Sequence, residues 1–109
     1  MLNISRSDLS THCVTLVANT VTKIVLRNIR RISLLMCNNS ATDAFVSERD
    51  NVTATGDLCG VPLRANLASI FGVSAVVGMD GKKRIYDGPF YAVSTGAAVI
   101  TIAEENEID

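Results

Sequence analysis

Apolar residues recur at every second position along much of this chain, and each such run is cut short by a cluster of turn-forming residues. In Val21 to Arg27, Ile24 and Leu26 face one way while Lys23, Val25 and Arg27 face the other. In Arg31 to Cys37 the same alternation puts Ile32, Leu34 and Met36 inward and Arg31, Ser33, Leu35 and Cys37 outward. A helix needs apolar residues three and four apart, and the β-branched Val21, Thr22, Ile24 and Val25 are poor helix formers. A period of two is the period of a half-buried strand, so this stretch is committed to sheet.

The same reading carries along the chain. It predicts strands over Thr11–Ala18, Val21–Arg27, Arg31–Cys37, Ala44–Ser47, Phe90–Ser94 and Ala97–Ala103, the last with Ala98, Ile100 and Ile102 on one side. Asn19-Thr20 supplies a turn or bulge, and Asn38 to Asp43 is a turn whose short polar side chains bond their own backbone. Phe45 is expected in the core. Val52–Thr55 reads as a short strand or extended edge, and Val61–Arg64 as an edge strand or extended segment, because Pro62 removes a ladder donor. Asn66 to Val77 is ambiguous: Leu67, Ile70 and Phe71 have helical spacing, while Gly72 and the β-branched residues after it favour a strand at Val73–Val77. That strand would turn through Gly78–Lys83 into Arg84–Tyr86. The class is all-β, an antiparallel β-sandwich or jelly-roll-like barrel of about eight short strands. Residues 1–10 read as an N-terminal arm, 11–103 as the β-sandwich domain and 104–109 as an acidic C-terminal tail.

Composition narrows the partners. The 109 residues are 48% hydrophobic but only 5% aromatic, so Val, Ile, Leu and Ala must fill the core. A formal net charge of −1 gives no field to draw in a phosphate backbone, which argues against nucleic acid, and little repulsion between copies, which favours a homo-oligomer. The start of the chain lacks the apolar core of a signal peptide, and no run approaches the roughly 20 apolar residues of a membrane helix. Synthesis in the cytoplasm and no membrane association are the expectation.

The residues for catalysis are sparse. Cys13, Cys37 and Cys59 match no zinc or redox spacing, and they read as free thiols in a reducing compartment. His12 is the single histidine, and as a strand neighbour of Cys13 it points to the opposite face, so the two cannot pair. Asp43, Glu48, Asp50, Asp57, Asp80 and Asp87 all fall in turns, where solvating and turn-forming roles are the ordinary reading. No glycine-rich phosphate cradle follows a strand. The expectation is a non-enzymatic protein with no cofactor and no metal. Arg27, Arg30 and Arg31 form the one basic cluster, either a solvated hairpin end or a partner for a neighbour's acidic residues such as the stretch Glu104 to Glu107.

Leu35 and Cys37 stand apart, because a solvated sheet face would not ordinarily present them together. Either their strand is covered on both faces, or its outer face meets another subunit.

Ala18-Asn19-Thr20, Arg31-Ile32-Ser33-Leu34, Asn38-Asn39-Ser40, Phe45-Val46-Ser47 and Tyr86-Asp87-Gly88-Pro89-Phe90-Tyr91-Ala92-Val93-Ser94, taken together, resemble small virion proteins of tailed bacteriophages. In that set a strand with an Arg and alternating apolar residues runs into an Asn-Asn turn. Later an aromatic-x-Gly-Pro-apolar-Tyr-Ala-apolar-Ser strand precedes a last apolar strand and an acidic end. The likeness spans roughly residues 18 to 105, and residues 66 to 77, richer in Val and Ala, depart from it. It implies a small β-sandwich that decorates or cements a capsid, or sits on a tail or fibre. The partner would be the major capsid protein or another virion protein, and the location the virion. The residues it singles out, with the two-sided strand, are Arg31, Leu35, Cys37, Asn38, Asn39, Gly88, Pro89 and Tyr91. The alternative is a carbohydrate- or receptor-binding module of a tail or fibre, for which Tyr86, Phe90 and Tyr91 would be the aromatic cluster.

Overall fold

A computed structural model describes residues 6–56, 58–73 and 86–108. Among the described residues are eight strands: β1 (Arg6–Leu16), β2 (Thr22–Val25), β3 (Arg31–Asn38), β4 (Ala44–Ser47), β5 (Val61–Leu63), β6 (Ala68–Val73), β7 (Phe90–Ser94) and β8 (Ala98–Ile108). They form two antiparallel four-stranded sheets, in the orders β1-β8-β3-β6 and β2-β7-β4-β5. The pairing is nested: β1 lies beside β8, β2 beside β7, β3 beside β6 and β4 beside β5. A long antiparallel ribbon rolled around a shared core gives this order, which is the jelly-roll form of the β-sandwich. Among the described residues there is no helix.

The core between the sheets is aliphatic, as the composition requires. Leu16, Ile24, Val25, Leu34, Met36, Val46, Leu63, Ile100 and Ile102 are buried, with Phe90 beside them. Each such side chain contributes about 1.5–3 kcal/mol on leaving water. Phe45 is not among them: Ala44 and Val46 take the inward positions of β4, and Phe45 between them is half-buried.

Two bulges overturn the alternation read from sequence. In β2 the ladder with β7 slips between Lys23 and Val25, so Ile24 and Val25 are both buried. Leu26 follows on the solvent side, 72% exposed, where strict alternation placed it in the core. In β3 the ladder with β8 slips between Arg31 and Ser33. The extra residue there re-aims the chain, leaving Ile32 half-buried and Arg31 inside, although a period of two puts Arg31 outward.

The strands also run beyond the boundaries drawn from the sequence. Residues 6–10, assigned to the arm, are the first part of β1, and residues 104–108, assigned to the acidic tail, are the last part of β8. These segments hold each other in one unbroken register, from Arg6 opposite Ile108 to Leu16 opposite Ala98. Asn19 makes the turn out of β1 in the left-handed region, with φ of 58°. Val52–Thr55 supplies a single parallel bridge, Thr53 to Cys59, rather than a strand. Ile70 and Phe71, read at helical spacing with Leu67, lie in strand β6; of the hairpin expected over Val73–Tyr86, Val73 ends β6 and residues 74–85 lie outside the described residues.

Candidate interaction surface

The residues singled out from sequence divide among four places, which the sandwich keeps apart. Arg31, Gly88 and Pro89 meet at one end. The Arg31 side chain is wholly buried, with Nε donating to Glu104 Oε2 at 2.6 Å. Nη1 donates to the carbonyls of Tyr86 and Gly88 at 2.9 and 3.0 Å, and Nη2 to that of Leu26 at 2.9 Å. The Phe90 ring lies 5.8 Å from the guanidinium carbon. This one side chain ties β3 and β8 of one sheet to the segments flanking β2 and β7 of the other. It is therefore neither a solvated hairpin end nor a partner for a neighbour's acidic residues. Its carboxylate comes from its own chain.

Gly88 fits here because it lacks a side chain. A Cβ would stand 2.3 Å from the Tyr86 hydroxyl, which itself donates to the Pro89 carbonyl at 2.9 Å. Tyr86 also packs edge-on against Phe90, with centroids 5.1 Å apart. Burial raises the Tyr86 pKa above its ordinary value, and the Glu48 and Tyr91 charges act the same way.

Asn38 lies at the other end of β3, buried rather than in an exposed turn. Its Nδ2 donates to the carbonyls of Thr42 and Leu63 at 2.7 and 2.9 Å, while its Oδ1 accepts from the Ser40 amide and hydroxyl. It holds together the loop from β3 to β4. Tyr91 is half-buried on the other sheet, under the Lys23 ammonium at 5.8 Å from the ring centroid.

Leu35, Cys37 and Asn39 remain on the outer face of the β1-β8-β3-β6 sheet. Leu35 is 40% exposed while Leu34 and Met36 beside it are buried, so this face is open in the single chain. Cross-strand register sets out its rows: Thr11, Ala103 and Leu35 form one, and Cys13, Thr101, Cys37 and Ala68 the next. Thr15 and Val99 follow. None of these side chains carries a formal charge, and Glu105 and Glu107 stand at one end of the band. A polar thread crosses it: the Cys37 thiol donates to Asn39 Oδ1 at 3.1 Å, Asn39 Nδ2 donates to the Thr101 hydroxyl, and Cys13 Sγ lies 3.5 Å from that hydroxyl. Cys13 and Cys37 flank β8, two strand spacings or about 9.6 Å apart, too far for a disulfide.

His12 and Cys13 point to opposite faces, as alternation requires. His12 Nε2 lies 3.0 Å from the Ile24 carbonyl in the β2 bulge, so this nitrogen carries the proton and caps a backbone acceptor. Cys59 lines a separate groove of about 550 Å³ with Glu48, Arg49, Val61, Tyr86 and Phe90. Among the described residues no group of three or more His, Cys, Asp or Glu could hold a metal ion, and no helix is long and apolar enough to cross a membrane.

Sequence reasoning offered the stretch Glu104 to Glu107 only as a neighbour's partner for the arginines and missed that Glu104 pairs with Arg31 within the chain. The signal was present: Ala98, Ile100, Ile102 and Glu104 share one parity along β8, which points the carboxylate into the sandwich. No family model, no curated protein and no solved structure matches this chain.

Proposed function

We propose that this chain is a non-catalytic structural protein of a tailed-phage virion, a capsid decoration or cement protein that docks on the major capsid protein or another virion protein. The observation that carries this reading is the charge-free band across β1, β8 and β3, with Cys37 in its middle row and Leu35 in the row nearest Glu105. Uncharged and lined mostly by small side chains, such a face loses little on desolvation and accommodates a second surface closely. The likeness of the Arg31 and Gly88-Pro89 segments to small phage virion proteins supports the same reading. Mass spectrometry of purified virions of the phage encoding this sequence tests it. The polypeptide is expected among the virion proteins in many copies, and its absence from intact particles overturns the proposal.

The groove beside Tyr86 favours a second reading, a carbohydrate- or receptor-binding module. Glu48 and Arg49 offer hydrogen-bonding groups there, and Tyr86, 38% exposed, offers part of an aromatic surface. Binding on a glycan array that is lost on Tyr86→Ala would select this reading, and a silent array removes it.

A further inference from the structure

Among the described residues four strands form the edges of the two sheets, and three of them are poor templates for another strand. β2 has only four residues, carries Lys23 and is bulged. β5 has three residues, one of them Pro62. β6 contains Gly72, and its ladder with β3 slips at Leu34/Leu35. Shortness, lysine, proline and bulges are the usual means of blunting a sheet edge.

β1 has none of these. It is 11 residues long, its register with β8 is unbroken, and from Leu9 to Leu16 it contains no proline, no glycine and no formal charge. Among the described residues its one sheet neighbour is β8. Thr11, Cys13 and Thr15 are exposed, and Leu9 is 68% exposed.

We propose that β1 is a homodimerisation edge, pairing antiparallel with β1 of a second copy to join two β1-β8-β3-β6 sheets into one. A second copy fits because antiparallel pairing of identical strands closes on a twofold axis and buries both free edges at once. Full overlap of β1 with itself sets Thr11 on that axis. Leu9 then lies opposite Cys13 of the second copy and Ser10 opposite His12, so Leu9 gains an apolar neighbour. The Asp8 carboxylate meets no charge there, since Asp8 faces Val14. The inference goes beyond the docking face and holds whether or not that face meets a capsid.

Light scattering on the full chain, with and without Thr11→Lys, tests the pairing. The wild type is expected as a dimer at micromolar concentration. Two lysines opposed at the axis should raise the dimer Kd by about tenfold or more while circular dichroism stays unchanged. A monomeric wild type, open-ended aggregates, or a dimer indifferent to Thr11→Lys each overturn it. Should the lysine variant misfold, Thr11→Cys with Cys13→Ser, Cys37→Ser and Cys59→Ser decides. Directly opposed strand residues lie within disulfide reach, so mild oxidation should give a covalent dimer, and its failure to form overturns the proposal.

Discussion

Arg31 Nε stands 2.6 Å from Glu104 Oε2, inside a sandwich where the arginine side chain has no exposure to solvent and the glutamate has 12%. Removing one partner of such a pair strands the other charge, at a cost of about 3–5 kcal/mol. Glu104→Ala should therefore remove a large part of the stability of a domain this size, read as a lower urea midpoint. Arg31→Lys should also destabilise, because one ammonium cannot reproduce a fork that reaches Glu104, Tyr86, Gly88 and Leu26 together.

Gly88→Ala places a methyl group against the Tyr86 ring and hydroxyl. Overpacking of this kind costs about 1–3 kcal/mol. In a double-mutant cycle, Tyr86→Ala should relieve part of that cost, giving strongly non-additive denaturation midpoints. Additive losses would show that the clash is absorbed elsewhere.

Asn38→Asp changes one atom and reverses the chemistry. Nδ2 donates to two carbonyls, and a carboxylate oxygen in its place would face those carbonyls with no proton to share. Each buried group left unmatched costs about 1–3 kcal/mol. Thermal unfolding of Asn38→Asp should show a loss well beyond that of Asn39→Asp, whose side chain lies at the surface.

Asp43 gives a pH test. The Ala65 amide at 2.8 Å and the Arg64 guanidinium at 2.8 Å hold its pKa below the ordinary value of 3.8. A carboxyl depressed in the folded state binds protons more readily when unfolded. Its contribution is therefore present above the ordinary value and is lost as pH falls through the folded one. Asp43→Asn should flatten the acid limb of a stability-against-pH curve below that value and leave its slope near neutrality unchanged.

Leu35→Asp tests the outer face. The side chain stands among Thr11, Ala103, Cys37 and Thr101 rather than in the core, so the variant should keep the wild-type circular dichroism spectrum. On the proposed docking, its sedimentation with capsids should fall by about tenfold or more, the effect of an uncompensated charge placed in an apolar contact. Unfolding of the isolated variant would instead make Leu35 a core residue.

Periodicity revealed the sandwich because the strands around Leu34, Met36, Val46, Ile100 and Ile102 keep a strict period of two over a buried face. It failed where a bulge intervened. A single extra residue at Ile24 or Ile32 changes the parity of everything on one side of it, and bulges are set by the partner strand, which a local window does not contain. Arg31 was consequently placed on the outward face, although its buried guanidinium donates to Glu104, Tyr86, Gly88 and Leu26. The outer face at Leu35 and Cys37 was legible because two apolar groups stood at outward parity with no bulge between them. The strand character of residues 6–10 and 104–108 was not, because polar side chains carry no apolar rhythm and pairing across the length of the chain holds them.

The nested pairing has a consequence for synthesis. β8 lies between β1 and β3, yet it is the last of the eight strands to leave the ribosome. Until it emerges, the first and third strands have no neighbour to join them, and Arg31 has no carboxylate. The sheet therefore assembles only once β8 has been translated, from contacts distant in sequence. Folding is expected to be slow for a domain of this size, with the β1 edge and the inner face of β3 exposed to chaperones in the interval.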